Sequence, residues 1–497
     1  MAAKDNIRLG IYSSALAGDD KPLVLLGVEG REELSRLFQF QLLLFRAGPP
    51  FGDEELDALV SEPCVIAMGP RKSDVVHGAL SSLAHIGGAP GGGTYYRATL
   101  IPNVYALQLG RRSAVYQNTT VPDMVAGLLG ARGLQKGKDF DIRITDDAKS
   151  PTHEYIVQYQ ESDWDFIQRW LEHEGYFYWF THTDGLGLVI ADANEDATPI
   201  EEPATLPFRN QHNLAQDDKD SVWSFYATRT RVPASVTLID YNYRRPLDLL
   251  FATQKVDRSG FGHVFLYGDH FKDKSTGAAW AKIRAEELAV DRYVVTGETD
   301  CARLRVGHTF KLEEHEHADY DGDYLVTSVE HTVGLAAGAL KDEASARGAE
   351  RSYRGRFTAI PLDVPFRPKR LTPWPSIHGI LHGHIASDGS GEYAELDDQG
   401  RYKVKLPFDL GSSQGQASSR WIRMAQAYSG SGYGAHHPQH KGGEVLIAHL
   451  DGDPDRPVII GAVPNAVTPG PVSSANASQS VLKTASGIRV VMEDLQK

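Results

Sequence analysis

The chain is poor in cysteine: only Cys64 and Cys301 occur in 497 residues. Two such distant residues make neither a disulfide framework nor a Cys-x-x-Cys motif. Buried free thiols are the expected state. No apolar run reaches 18 residues, so no helix is expected to cross a membrane and no stable membrane anchor is expected. The opening MAAKDNIRLGIYSS lacks the basic and apolar regions of a secretory signal. The expectation is a protein that stays in the cytosol or leaves without a cleaved signal. Long Lys/Arg runs are missing too, and the net charge is −14. Nucleic-acid binding relies on clustered basic residues that displace counterions, so no nucleic-acid partner is expected. A phosphate-binding loop and a His-Glu-x-x-His metalloprotease helix are also absent.

At about 100–200 residues per domain, this length predicts roughly three units. Apolar segments of strand length recur from the start: Arg8 to Tyr12, Leu23 to Val28, Phe38 to Phe45, Cys64 to Met68, Val75 to Gly78 and Tyr95 to Leu100. GGAPGGG, Gly87 to Gly93, reads as a flexible connector. A short helix is expected from Pro122 to about Ala131. The clearest helix follows Ser162, a good N-cap with Asp165 three residues on. Trp164, Phe166, Ile167, Trp170 and Leu171 share one side of it. Asp165, Gln168, Arg169 and Glu172 share the other. Gly175 ends it as a C′ glycine. Strands Tyr155 to Tyr159 and Tyr176 to Phe180 flank it, giving an expected strand–helix–strand unit with an aromatic core.

A further helix is expected from Thr276 to about Val290, capped by Ser275, with Ala278, Ala281, Ala285 and Leu288 as a small-residue stripe. Strands Ala302 to Val306, His308 to Leu312 and Tyr324 to His331 should follow, then a mobile loop from Gly334 to Glu350. Five prolines between Pro361 and Pro375 predict an extended connector. Beyond it, His378 to Ile385, Gly400 to Leu406, Arg420 to Ala425, Glu444 to Leu450 and Val458 to Val463 suit a small closed barrel such as the OB-fold. Strand 445–450 is apolar on nearly both sides, so both its faces should be covered. Asp451-Gly452 is a turn pair, and Pro454 stops either strand from running on. Residues Pro464 to Ser480 read as a linker, and Gly487 to Asp494 begins a new strand.

Several polar clusters invite chemistry. His436, His437 and His440, with Glu444 nearby, or His378, His382 and His384, could supply zinc ligands to a hydrolase. Solvated loop histidines are the commoner state of such residues. The acidic stretch 313–323 has its glycine four positions into the span from Asp319, not at position six as a calcium EF-hand needs, so it reads as a polar hairpin. No catalytic residue, metal or cofactor is expected.

GRYKVKLPFD, SSRWIRMAQAYSGSGYG and GEVLIAHLDGDPDRPVIIGAVPN resemble the OB-fold segment of the VgrG (TssI) family, the trimeric spikes of type VI secretion systems. EGREELSRLFQFQLLLF, YQESDWDFIQRWLEHEGYFYWF, DGDYLVTSVEH and FRPKRLTPWPSIHG resemble it too, in the family's order, over residues 7–494. The resemblance implies a mainly β chain with a few helices. Phage-tail-hub-like β-barrel domains (residues 1–366, two related barrels) precede a connector (367–375) and an OB-fold barrel (376–465). A linker and the first strand of a triple-stranded β-helix follow (466–497), with the rest of that needle trimmed or naturally absent. It further implies a non-enzymatic homotrimer on a hexameric Hcp tube, with baseplate contacts. A PAAR tip protein and effectors would be further partners where a needle is present. Such a protein assembles in the bacterial cytoplasm and is secreted to the exterior or into target cells. The structural motif residues implied are Asp451, Gly452, Asp453, Pro454, Asp455, Arg456 and Pro457 at the barrel corner, and Trp164, Ile167, Trp170 and Gly175 on the aromatic helix. Where the family usually carries a Pro-Arg pair, this chain has HHPQHKGGEV. The spike of a phage-like or extracellular contractile injection particle is the alternative, and a zinc hydrolase a distant one.

Overall fold

The computed structural model describes residues 8–17, 23–71, 73–89, 92–144, 150–182, 187–209, 220–334, 353–387, 389–409 and 420–495. The chain divides into two compact units. One comprises Met1–Gly110, Thr120–Pro151 and Ser162–Pro373; the other comprises Arg111–Thr119, Thr152–Glu161 and Trp374–Lys497.

The first unit is built on a thirteen-stranded sheet. Its main path runs Arg8–Ser13, Pro63–Gly69, Val75–Gly88, Thr94–Ile101, Gln39–Arg46, Leu23–Glu33, Gly322–Gly334, Tyr353–Pro361, Tyr293–Thr299 and Val222–Arg229, antiparallel throughout. His308–Glu313 branches from Gly322–Gly334 as the predicted polar hairpin. One sheet thus serves two cores. One gathers Phe40, Leu44, Ile66, Val76 and Tyr96; the other gathers Trp179, Leu206, Phe310, Leu325 and Phe357. Strand Tyr353–Pro361 shows why the pattern works: Tyr353, Phe357 and Ala359 turn inward while Arg354 and Arg356 face out. Its alternation was readable in the sequence, but no strand was expected there.

Four α-helices accompany the sheet among the described residues: α1 Asp53–Ser61, α2 Val121–Ala131, α3 Asp163–Glu174 and α4 Lys274–Ala289. Helix α1 was not expected. It is short and opens on a glycine N-cap, whose N–H donates to Glu55 Oε2 at 2.8 Å. The cap of α4 is Asp273, not Ser275. Asp273 Oδ1 accepts the Thr276 N–H at 2.9 Å and the Ser275 hydroxyl as well. The expected stripe on α4 also shifts. Ala281 and Ala285 are buried, but with Gly277 and Trp280 rather than with the exposed Ala278.

Residues 302–306 form a turn segment, not a strand. They are buried at every position, so no two-residue alternation exists, and Arg303 and Arg305 each reach a separate acidic partner. The loop expected at 334–350 lies, after Gly334, outside the described residues. So do residues 90–91 of the glycine connector, whose first two glycines end strand Val75–Gly88.

A smaller three-stranded sheet, Leu250–Lys255, Ser235–Asp240 and His263–Tyr267, packs one face on α4 through Val236, Leu238 and Leu250.

The second unit holds the barrel. Its five strands run in the order Trp421–Ile422, Tyr402–Lys405, Ile380–Ala386, Glu444–His449 and Pro457–Ala462. The barrel closes where Ile459 N–H donates to Arg423 O at 2.9 Å and Ala425 N–H donates to Ile459 O at 2.7 Å. Tyr402, Val404, Ile422, Val445, Ile447 and Ile459 fill it. Strand Glu444–His449 is fully buried on one face only: Val445, Ile447 and His449 point in, while Leu446 and Ala448 are half-covered. A closed barrel has one inside, so the expectation of two covered faces fails.

A ribbon of Arg112–Tyr116 paired with Ile156–Glu161 belongs to this unit, and Val115 packs on the barrel core. The strand before α3 therefore does not form a unit with it. Phe177–Thr181 pairs instead with Gly187–Ala191. The predicted linker, 464–480, ends in the first two residues of a strand, Gln479–Lys483, which pairs with Arg489–Glu493.

Candidate functional site

The corner 451–457 is held by short-range polar contacts. Asp451 and Gly452 take left-handed backbone angles, with φ 55° and 74°. Leu450 N–H donates to Arg456 O at 3.0 Å, and Arg456 N–H to Asp453 O at 2.9 Å. Asp453 accepts the Asp455 N–H at 2.9 Å and pairs with Arg456 at 3.2 Å. Gly452 O accepts from Ile377 N–H at 2.7 Å, and a Cβ on Gly452 would stand 2.3 Å from Ser376 Oγ. Glycine is therefore required on two grounds, conformation and space. Pro454 is buried, and Pro457 opens the last barrel strand without needing an N–H there. Buried Asp455 reaches further than its neighbours. Its Oδ1 accepts the Val157 N–H at 2.7 Å, fastening the ribbon to the corner.

Helix α3 is buried on all sides. Ser162 Oγ accepts the Asp165 N–H at 3.0 Å. Trp164, Ile167 and Trp170 are each 2% exposed or less. Gly175, at φ 76°, ends the helix, and a Cβ there would meet Ile283 Cγ2 at 2.5 Å. The side expected to be polar is polar but not solvated. Gln168 Nε2 donates to Ser35 O at 2.8 Å, and Gln168 Oε1 accepts from the Tyr178 hydroxyl at 2.7 Å. The Glu172 carboxylate takes Arg36 at 3.0 Å, the N–H groups of Leu371 and Thr372 at 2.9 and 2.8 Å, and the Thr372 hydroxyl.

The proline-rich stretch is therefore strapped down within its own unit. Arg367 donates to Gly175 O at 3.1 Å and to Asp192 O at 2.6 Å. Arg370 pairs with Asp269 at 2.7 Å. Proline spacing predicts the extended shape but carries no sign of these partners, which are 80–200 residues away.

A second buried polar cluster was missed entirely. Glu32, at 6% exposure, is gripped by Arg305 through two hydrogen bonds, one of 2.8 Å. His182 Nε2 and His331 Nε2 each lie 3.5 Å from its carboxylate. His331 Nδ1 bonds the Tyr353 hydroxyl at 2.7 Å, and His182 Nδ1 accepts the His77 N–H at 3.2 Å. Burial alone would push the Glu32 carboxyl up, but Arg305 and the two imidazoles outweigh it and hold it well below the usual range. Burial, reinforced by Arg305, pushes His182 down to about 4, so it stays neutral. No motif marks these residues, because Glu32 and Arg305 are 273 positions apart.

Three of the six candidate zinc-ligand histidines, His382, His436 and His440, have polar or ring partners. His382 Nδ1 lies 2.6 Å from Glu444, which also accepts from Asn465. His436 bonds the Tyr402 hydroxyl and Gln426, both at 3.3 Å. The His440 ring lies against Tyr393 at a tilt of 41°, with centroids 4.5 Å apart.

A sheet with two cores, followed by a five-stranded barrel with a polar corner, defines a class of tail hub with an attached OB domain. Residues 31–337 match the family model of the phage tail baseplate hub, and residues 393–463 match the type VI secretion system/phage-baseplate injector OB domain. The chain belongs to the baseplate hub family and carries that OB domain. Its relatives include the type VI secretion system spike protein VgrG1b of Pseudomonas aeruginosa, 30% identical over 98% of this chain and 64% of that protein. VgrG1a of the same organism is 29% identical over 93% of this chain and 71% of its own length. The actin cross-linking toxin VgrG1 of Vibrio cholerae is 29% identical over 95% of this chain but only 43% of that protein. The chain thus spans just under two thirds of VgrG1b.

Among solved structures, the E. coli c3393 protein superimposes with a TM-score of 0.66 at 23% identity, covering 91% of this chain and 99% of that one. It is described as a type VI secretion component similar to T4 tail proteins gp27 and gp5. A chain of the lidded Francisella PdpA-VgrG complex gives a TM-score of 0.57 at 9% identity, covering 98% of this chain and 75% of that one.

Proposed function

We propose that this chain is the hub and OB portion of a non-enzymatic, homotrimeric spike that rides on a hexameric Hcp tube and helps deliver effectors into target cells. The carrying observation is the order of the two matches, hub then OB domain, in one chain that aligns with VgrG spikes over nearly its whole length. Baseplate proteins are further partners, as are a PAAR tip and effectors where a needle is present. Assembly takes place in the cytoplasm, and export needs no cleaved signal.

In this reading residues 1–366 form the hub and 367–375 the connector. Residues 376–465 form the OB domain, and 466–497 a linker and the first strand of a β-helix. The corner Asp451–Pro457 and the helix bearing Trp164, Ile167, Trp170 and Gly175 serve rigidity rather than chemistry. A structure driven by sheath contraction must transmit force without yielding. The closed OB barrel and the paired buried charges at Glu32 and Glu172 suit that demand, because a closed barrel exposes no strand edge and a paired charge does not pull its surroundings apart.

Deleting the gene in a strain without a second copy should abolish Hcp export; unchanged export would refute the reading. A spike of a phage-like particle is the second reading, favoured by the phage origin of the hub model. An Hcp-type tube protein that co-purifies with this chain would decide against it.

A further inference from the structure

The three-stranded sheet on α4 breaks a rule of half-buried sheets, whose outward face is normally polar. The pairing places Phe251, Ile239 and Tyr267 in one row across the outer face, with Phe265 and Thr237 in the next. Phe251, Phe265 and Tyr267 are 51–61% exposed. Leu247 and Phe261, in the flanking loops, reach 97% and 80%. The opposite face is already committed to α4. Contiguous exposed apolar surface of this kind marks an interaction site.

The charges around it are equally uneven. Within residues 241–267 the exposed charged side chains are Arg244, Arg245, Lys255 and Arg258 against Asp248. This basic rim sits on a chain of net charge −14. Two copies of the face would oppose like charges, so a twofold contact of the face with itself is disfavoured. A different, acidic surface is needed, and a contact between unlike surfaces of identical chains generates a ring when its rotation closes, as three copies require.

Such a surface exists in the same unit. Residues 52–62, which contain α1, hold five acids and no Lys or Arg. Asp53, Asp57 and Val60 are spaced i, i+4, i+7 along one exposed ridge, with Glu54 beside them. Leu59 holds the other side of the helix in the core. Helix on sheet is also the ordinary way to cover a bare apolar sheet face.

We propose that the aromatic outer face of this sheet is a subunit interface, seating the acidic ridge of α1 from a second copy of the chain. The inference rests on the trimer reading above and assigns surfaces to it.

Sedimentation velocity of the full chain at micromolar concentration tests it. Wild type should sediment as three copies. Phe251→Glu/Phe265→Glu should raise the midpoint concentration of assembly at least tenfold with an unchanged circular dichroism spectrum. Should that variant fold poorly, Leu247→Glu/Phe261→Glu, at more exposed sites, serves in its place. Arg244→Glu/Arg258→Glu and Asp53→Lys/Asp57→Lys should each weaken assembly. Combined, they should restore it to within about threefold of wild type. Face variants that assemble as well as wild type overturn the interface and leave the trimer standing. Failure of the combined reversal to restore assembly removes α1 as the partner and overturns the inference as stated. A wild-type chain that remains monomeric overturns the trimer reading, and this inference with it.

Discussion

The barrel corner and the interior of the hub unit are both polar constructions inside a β protein, but they are wired over different distances. In the corner, Asp453, Asp455 and Arg456 bond one another within three residues. In the hub, Glu32 waits for Arg305, and Glu172 for Leu371 and Thr372. Local wiring forms as soon as the chain turns and leaves a motif behind. Long-range wiring forms only when the sheet is assembled, and it is compatible with almost any intervening sequence. The loop-closure entropy of such contacts must be met by the cooperative burial of both cores.

Loss of a long-range buried partner should therefore be the more damaging. Arg305→Ala should leave the Glu32 carboxylate buried and unpaired, at a cost of about 3–5 kcal/mol. Denaturant unfolding should show it, and a loss under ~1 kcal/mol would mean that water reaches Glu32. Trp170→Ala on α3 should cost a similar ~3–5 kcal/mol through the cavity it leaves.

Glu172→Ala should cost about 2–3 kcal/mol, because two backbone N–H groups and a hydroxyl of the strap lose their acceptor. It should also open residues 366–373 to limited proteolysis, which Asp455→Ala should not do. In the corner, Gly452→Ala should cost ~1–2 kcal/mol from the left-handed backbone, and more if Ser376 cannot yield. A neutral result there would show that the corner relaxes freely.

A pH dependence is shared by both units. His182 in the hub and His449 in the barrel are pushed down to about 4, chiefly by burial in each case. A depressed histidine means that the unfolded chain binds the proton first. Its stabilisation is complete above about pH 6.5 and is lost as pH falls toward 4, with a limiting slope near 1.4 kcal/mol per pH unit per group. Thermal melts between pH 7 and 4 should show the decline. His182→Gln should flatten it for the hub transition, and an unaltered slope would place the titration elsewhere.

Much of the fold was legible in the sequence. The five barrel strands, the first six strand positions of the hub, α2 and α3 all fall where alternation, proline and capping residues put them. The Ser162 cap and the Gly175 stop are local contacts, so their residue types suffice. Three failures share a cause. The strand at 156–161 was paired with its sequence neighbours, yet its partner lies at 112–116. Residues 302–306 read as a strand because they are apolar and charged by turns, yet their arginines point into the interior. The polar side of α3 was legible as polar, but its cover by Ser35, Arg36 and Thr372 was not.

The sequence by itself determined the class of protein, the barrel and its corner, and the ends of the main helices. Each leaves a local signature in backbone preferences and capping or turn residues, although the corner is also tied to Ile377 and Val157 far away in the chain. Only the tertiary structure decided which strand joins which unit, where the proline strap is tied down, and which charges are buried in pairs. Those outcomes depend on groups brought together from opposite ends of the chain. A carboxylate such as Glu32 looks the same in the sequence whether it meets water or Arg305.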